Sequence, residues 1–417
     1  MSNESAKKYV FDEIHGYIVL DSLMRDLVDT PPVQRLRRIK QLSQAWYVFP
    51  GAVHTRFSHS LGVMKLTEKI TDKLINDGIL SKDDRDLLRC AALLHDVGHT
   101  PYSHALEYVF YSNYGINHEE LSYMIINEEP HIKEVLSKHG LSPSEVAKIV
   151  TGTHEEPAFN NLLNGDLDVD RLDYLPRDAL HTGVRYGLID LERIIQTITL
   201  DDEGYIAVHP KAIHAVESFY VSRLHMYRSV YYHKTITGYQ LLLAAIYEII
   251  LFEREVRTLL EPFTSLEGIR KSVREGSICM WDDFLIGGVL NVVLAKKLGS
   301  EVLRELIKSY INRRGYRAFY NHISFKQEQG ITQSEIDKLN KISKTLLSKG
   351  INTYTFRTYT ESVPIISSEK EVRILSNAKS VKISELEDSI IKSFPRYMEI
   401  VRIYALPALE EVLKNLI

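Results

Sequence analysis

The pair His95-Asp96 sets an imidazole beside a carboxylate, and three further histidines, His99, His104 and His118, follow it closely. Such a density of nitrogen and oxygen donors suits a metal centre or acid–base catalysis. A His-Asp pair alone has little specificity, because a buried histidine often needs only one hydrogen bond to be satisfied. The surrounding pattern adds weight. Leu87, Leu88 and Ala91 mark an apolar helix face that His95 continues, so its imidazole points inward near the end of that helix. His59 opens a stripe through Val63, Leu66, Ile70 and Leu74 at helical spacing and points inward for the same reason.

A third segment supplies carboxylates. In the run Asp168-Val-Asp-Arg-Leu-Asp-Tyr174 and on to Asp178, residues Asp170, Tyr174 and Asp178 lie four apart and share a helix face unless Pro176 kinks it. The competing reading is a solvated first turn whose aspartates favour the macrodipole. A fourth helix, near residues 211 to 234, aligns Arg223, Tyr227 and Tyr231. There the arginine clamps a phosphate or pairs with a core acid, and spacing does not choose between them.

The elements that must hold these groups read as mainly α. Helical periodicity dominates to about residue 310, with helix starts marked by Asn117-His118-Glu119-Glu120 and by Ser142-Pro143-Ser144-Glu145. From Tyr316 onward the texture changes. Asn352 to Tyr359 alternates Tyr, Phe and Thr, and Val363 to Leu375 is rich in Val and Ile, which predicts short strands among helices. The expected organisation is a helical domain over 1–310 with an N-terminal arm, then a small α+β lobe over 311–417. No linker marks the seam, and there are no internal repeats.

Composition bounds the function. The 417 residues, 44% hydrophobic and 25% charged, suffice for one large or two ordinary domains. A net charge of -4 gives no chain-wide attraction to nucleic acid or acidic membranes, so general DNA binding is not expected. Two cysteines, Cys90 and Cys279, exclude a disulfide scaffold and suit a reducing compartment. The opening MSNESAKKYVF has no apolar signal core, and the apolar run from Leu241 to Phe252 is broken by Glu248 and is shorter than the ~20 residues that span a bilayer. A cytoplasmic protein without a membrane span is the expectation.

Several ordered strings together resemble a known family. His54-Thr-Arg-Phe-Ser-His59-Ser-Leu-Gly, then Leu94-His95-Asp96-Val-Gly-His99-Thr-Pro-Tyr-Ser-His104, then Asp168-Val-Asp-Arg-Leu-Asp-Tyr174 and Tyr231-Tyr-His-Lys234 follow the order seen in HD-domain deoxynucleoside triphosphate triphosphohydrolases, as does Asp29-Thr-Pro-Pro-Val-Gln-Arg-Leu-Arg37. The resemblance runs from about Phe11 to Lys234 and points most to the branch of the sterile-alpha-motif and HD-domain enzyme and its microbial relatives. It implies an HD-domain helical core.

The resemblance further implies four metal ligands, His59, His95, Asp96 and Asp170, a mixed set suited to iron, manganese or zinc, with magnesium able to join through substrate phosphates. Such a centre lowers the pKa of a bound water and aims hydroxide at the α-phosphorus of a dNTP, releasing deoxynucleoside and intact triphosphate. By position, His104 protonates the departing 5′ oxygen, His99 and His118 stabilise phosphate oxygens or position His104, and Glu107, where the family often has aspartate, orients it. Arg56 and Arg223 bind phosphate, with Arg171 in place of a common lysine. Gln41 and Asp178 match residues that bind the 3′ hydroxyl, Tyr174 the ring that excludes a 2′ hydroxyl, and Leu42 packs against the nucleoside; Tyr231 joins this substrate-binding set.

The basic run Arg35, Arg37, Arg38 and Lys40 reads either as the basic side of a helix or as regulatory. Asp29, Gln34 and Arg37 match positions that, in the resembling branch, form a GTP or dGTP activator pocket at a subunit interface, which implies a homo-oligomer, dimer or tetramer. Here the family lysine falls at Tyr9, and the element after it reads Asp12-Glu13-Ile14-His15, a departure from the pattern. Two alternatives stay open: an HD-type nucleotidase or phosphodiesterase on another nucleotide, and a non-enzymatic nucleotide or single-strand binder.

Overall fold

The computed structural model describes residues 7–367, 369–376 and 379–416. Helices begin where the sequence places caps. Asn117 and Glu120 exchange side-chain and backbone hydrogen bonds in a capping box that opens His118–Glu128, and Ser142 accepts from the Glu145 N–H at the head of Pro143–Val150. The long helix Arg56–Asn76 buries His59, Val63, Leu66, Ile70 and Leu74 along one face. Each aliphatic side chain so removed from water contributes about 1.5–3 kcal/mol. Lys82–Leu94 packs beside it and delivers His95 at its C-cap.

Two glycines allow the helices to meet. A Cβ on Gly62 would stand 1.9 Å from Asp173 Oδ1, so only glycine lets Arg56–Asn76 approach the helix Val169–Thr182 this closely. A Cβ on Gly98 would lie 2.2 Å from the His118 carbonyl oxygen, and the Gly98 N–H donates to Ser122 Oγ at 2.9 Å. The turn after His95-Asp96 is thereby seated on the helix that begins with His118.

The fold is mainly α with a smaller α+β lobe. In that lobe Tyr397–Ala405 is the central strand of an antiparallel three-stranded sheet, flanked by Arg317–Lys326 and Phe356–Pro364. The helix Gln333–Ser348 covers one face through Leu339, Ile342 and Leu346. Among the described residues four strands lie before residue 310, where periodicity suggested helix: the hairpin Lys8–Asp12 with Gly16–Leu20, and the pair Ile198–Leu200 with Ile206–Val208. These segments are three to five residues long, too short for a period-2 pattern to stand out. Val208 pairs in parallel with Ile374, so a division near residue 310 is a proposal about sequence organisation across which a sheet and a continuous apolar core run.

Among the described residues one helix, Lys234–Phe252, is long and apolar enough to cross a membrane by length and composition, and 67% of its most apolar window is buried inside the fold. The fourth helix foreseen near 211 to 234 is shorter than its pattern suggested. It spans Ile213–Met226 and passes into a π-helical turn over Tyr227–Tyr231, a local widening that occurs frequently at functional sites.

Candidate active site

Around His59 and His95 the hydrogen bonds fix which ring nitrogen is free. His59 Nδ1 lies 2.8 Å from Asp173 Oδ2 and His95 Nδ1 lies 2.8 Å from the Ala92 carbonyl oxygen, so both Nδ1 atoms carry the proton and donate. The two Nε2 lone pairs then converge at 3.3 Å. Asp170 Oδ1 stands 2.9 Å from His59 Nε2 and 3.8 Å from His95 Nε2, and Asp96 Oδ1 stands 3.4 Å from His95 Nε2. Lone pairs and carboxylate oxygens aimed at one point repel unless a cation shares them, so the donor set fits a divalent metal ion. His59, His95 and Asp96 form a group whose ligand atoms all lie within 4.8 Å of one another.

The electrostatics agree. Burial opposes a charged His59, but its hydrogen bonds to Asp170 and Asp173 outweigh it and push the imidazole up to about 10, so a proton occupies Nε2 wherever a metal cation does not. Burial likewise opposes ionisation of Asp96, yet the Arg56 and His95 charges hold it well below the usual carboxylate range. The pocket is built to carry positive charge between these groups.

Beside it lies a second cluster. Glu107 Oε2 is 2.8 Å from His104 Nδ1, and Glu107 Oε1 bonds both the His118 backbone N–H and its Nδ1. His99 stacks on His118 with ring centroids 4.2 Å apart and points Nε2 at Asp96 Oδ1 at 3.2 Å. Burial and the Arg56 charge keep His99 well below the ordinary imidazole range, whereas Glu107 outweighs burial and raises His118. The turn that presents His104 is conformationally unusual, with Tyr102 at φ 55° and Ser103 at φ 51°. Asp283 steadies it by accepting the Tyr102 N–H at 2.6 Å, and Arg56 bridges Ser103 Oγ at 2.8 Å and Asp96 Oδ2 at 2.7 Å.

Both clusters open into a cavity of about 1160 Å³. Its wall carries Gln41, Leu42, Arg56, Arg171, Tyr174, Asp178 and Tyr231 together with His95, Asp96, His99, His104, His118 and Asp170. Pro176 lies within Val169–Thr182 without ending it, so Asp170, Tyr174 and Asp178 do share a face. The Tyr231 hydroxyl donates to Asp178 Oδ2 at 2.8 Å.

Comparison with known proteins meets this geometry. The model of the HD domain matches residues 56–178, and that of the HD associated region matches 189–258. An uncharacterized protein, MG461, from Mycoplasma genitalium is 32% identical over 329 residues, 72% of this chain and 76% of that protein. The chain belongs to the HD-domain phosphohydrolase family. The uncharacterized protein YwfO of Bacillus subtilis is 39% identical over 58% of this HD-domain chain and 55% of its own length. The deoxynucleoside triphosphate triphosphohydrolase SAMHD1 of Homo sapiens is 34% identical over 54% of this chain and 42% of its own. The chain thus spans about half the length of most curated relatives it matches. A solved phosphohydrolase from Bacteroides thetaiotaomicron superposes with a TM-score of 0.74 at 26% identity, covering 96% of this chain and all of the other.

Within this HD-domain fold, some sequence expectations shift. Arg223 is not on the cavity wall. It is buried, with Nη1 2.6 Å from Asp166 Oδ1 and Nε donating to the Tyr227 hydroxyl at 2.8 Å, so of the two roles that spacing left open the structure holds it in the pairing with a core acid. The basic run is no solvated helix face either. Arg35 is fully buried and donates to the carbonyls of Trp281, Val97 and His99, while Arg38 bonds Asp282. Asp29, Gln34 and Arg37 lie away from the cavity. Gln34 accepts from Arg37 Nε at 2.9 Å, Arg37 covers the Phe57 ring at 3.6 Å, and Asp29 lies 3.5 Å from Lys8 Nζ.

Two residues, Asp173 and His54, escaped the sequence reading. Asp173 orients His59, accepts from Arg177 at 2.8 Å and lies 2.6 Å from His15 Nε2. His54 Nε2 stands 2.7 Å from Asp178 Oδ1, on the far side of that carboxylate from Tyr231. Asp173 sits three residues after Asp170, one turn on and toward the neighbouring helix, and that offset was the available signal.

Proposed function

We propose that this protein hydrolyses deoxynucleoside triphosphates to deoxynucleoside and inorganic triphosphate. The observation that carries the reading is that a single cavity joins a group of donors able to hold a metal, a carboxylate-held histidine cluster and an aromatic and polar wall. The name of the human relative, a deoxynucleoside triphosphate triphosphohydrolase, supports the substrate.

On this reading His59, His95, Asp96 and Asp170 hold a divalent transition metal, which supplies a Lewis acid at the attacked phosphate. Arg56 and Arg171 neutralise phosphate oxygens, although each also holds a carboxylate, Asp96 and Asp168. His104, with a side chain 65% exposed and Nδ1 held by Glu107, directs Nε2 to the cavity and hands its proton to the departing 5′ oxygen. His118 shares Glu107 and fixes its direction, and His99, neutral with Nε2 turned to Asp96, packs edge-on to the His104 ring at 5.3 Å and positions it. Gln41 and Asp178 take the 3′ hydroxyl, Tyr231 holds Asp178 in place, Leu42 packs on the nucleoside and Tyr174 closes off the 2′ position.

The same resemblance supports a homo-oligomer, dimer or tetramer, responsive to GTP or dGTP through Asp29, Gln34 and Arg37. Sizing by light scattering with and without GTP checks it, and unchanged mass and rate would sink it. For the reaction itself, each dNTP and NTP is incubated with manganese or magnesium and the products are resolved by anion exchange. Deoxynucleoside plus intact triphosphate is expected. Monophosphate plus pyrophosphate, or no turnover, moves the assignment to another nucleotide bond or to a binding protein.

A further inference from the structure

We infer that Glu361 selects the base of the substrate, favouring guanine, from a wall that the strand Phe356–Pro364 of the C-terminal lobe builds at the far end of the cavity. The inference rests on the nucleotide reading above and adds to it a recognition group outside the segments that resemble the family.

Alternation along the strand places Arg357, Tyr359 and Glu361 on one face. They pair in register with Tyr404, Arg402 and Ile400. Tyr404 and Ile400 belong to the main apolar core, and Arg402 donates to the Tyr232 carbonyl at 2.7 Å, so this face looks toward the helix Lys234–Phe252 and the cavity. All three side chains line it. A file of rings leads there from the metal-ligating group: Tyr174 lies 6.5 Å from His59, Tyr231 5.6 Å from Tyr174, Tyr227 5.8 Å from Tyr231 and Tyr232 5.8 Å from Tyr227. With phosphate at the histidines and sugar against Tyr174, the base extends toward this strand.

Of the two charged groups on the wall, Arg357 is already committed to Glu248 and to the Thr353 carbonyl, each at 2.7 Å. Glu361 has only a long contact from the Tyr359 hydroxyl, at 3.3 Å. Its two oxygens therefore have acceptor capacity to spare. Guanine alone among the four bases presents two adjacent N–H donors on its Watson–Crick edge, N1–H and the 2-amino group, and a carboxylate accepts both side by side. Burial, partly offset by the Tyr359 hydroxyl, pushes Glu361 up, and two donors from a base would relieve that cost.

The test compares dGTP with dITP, which lacks the 2-amino group. The wild type is expected to favour dGTP by about tenfold in kcat/KM, and E361Q to bring the ratio close to one; a merely structural defect scales both rates and leaves the ratio standing. Thermal melts confirm that E361Q is folded. Equilibrium binding of the two nucleotides reads the same preference without turnover. Binding preference for dGTP with no hydrolysis would sink the triphosphohydrolase reading and keep the wall. Hydrolysis without preference, a ratio unmoved in E361Q, or binding of neither nucleotide overturns the inference.

Discussion

His59 donates Nδ1–H to Asp173 across 2.8 Å, and this one carboxylate also holds Arg177 and contacts His15. The same contact that orients a candidate metal-ligating imidazole thus ties together two helices and the N-terminal hairpin turn. Asp173→Asn should weaken metal affinity by about 10–100-fold and destabilise the fold by about 3 kcal/mol, because a buried Arg177 loses a partner. Metal content by mass spectrometry and a denaturant melt measure the two effects. Full metal occupancy in the variant under competing chelator would remove the orienting role.

His104 gives a cleaner kinetic test, since its exposed side chain carries little of the fold. His104→Ala should lower kcat by about 10²–10⁴-fold with an unchanged melting temperature. Glu107→Gln should follow it in direction and to a smaller extent, because the ring loses its orienting carboxylate while keeping its own nitrogen atoms. A His104 variant that turns over at the wild-type rate would end its assignment as proton donor.

Asp283 accepts the backbone N–H groups of Tyr102 at 2.6 Å and Lys40 at 3.1 Å, pinning the turn before His104 and the Lys40–Thr55 bridge before Gln41. Burial lifts its carboxyl from the ordinary 3.8 to about 6 against those hydrogen bonds. The folded value is raised, so the favourable contribution is complete below 3.8 and is lost as pH rises through about 6. Relative to Asp283→Asn, which does not ionise, the wild type should lose about 1 kcal/mol of stability between pH 5 and 7. Denaturant midpoints of both proteins across that range are the measurement, and parallel profiles would contradict it.

How much of this could be read from the sequence follows from what each feature depends on. His59, His95 and Asp170 sit on helices whose apolar faces repeat over several turns, so their inward direction was legible. The shared face of Asp170, Tyr174 and Asp178 was legible in the same way and survives Pro176. What escaped depends on the partner chosen in space. Arg223 and Arg35 have the charge expected of ligand-binding residues, and only the presence of Asp166 or of three inward carbonyls shows that their guanidinium groups are already used. The wall strand Phe356–Pro364 was foreseen as extended chain, but its place at the cavity comes from long-range pairing with Tyr397–Ala405, which no local period encodes.

Arg223 supplies a prediction that separates fold from chemistry. Its ion pair with Asp166 is buried on both sides, and the same Asp166 accepts from Tyr220 at 2.8 Å. Arg223→Met should therefore destabilise by about 3–5 kcal/mol by stranding Asp166, while KM for a dNTP in the folded fraction changes less than about twofold. A stable variant with KM raised tenfold or more would restore a phosphate-binding role.

Tyr174 stands edge-on to Tyr231, with centroids 5.6 Å apart and planes at 87°, and Tyr231 is itself fixed by its hydrogen bond to Asp178. A ring held this way cannot swing aside for a 2′ hydroxyl, and the hydroxyl would meet an aromatic face that offers no strong acceptor. On the proposed reading, discrimination against ribonucleotides would combine a clash with an unpaired polar group, the combination that rejects most strongly. Tyr174→Ala removes the clash, so the dNTP to NTP ratio of kcat/KM should fall at least about tenfold, through a gain on NTP as well as a loss on dNTP. Tyr231→Phe removes one of the two partners of Asp178, leaving His54 on the other oxygen, and keeps a ring edge against Tyr174. It should lower kcat/KM for dNTP and NTP alike and leave the ratio intact. If Tyr174→Ala loses both activities in proportion, the ring supports the sugar but does not choose it.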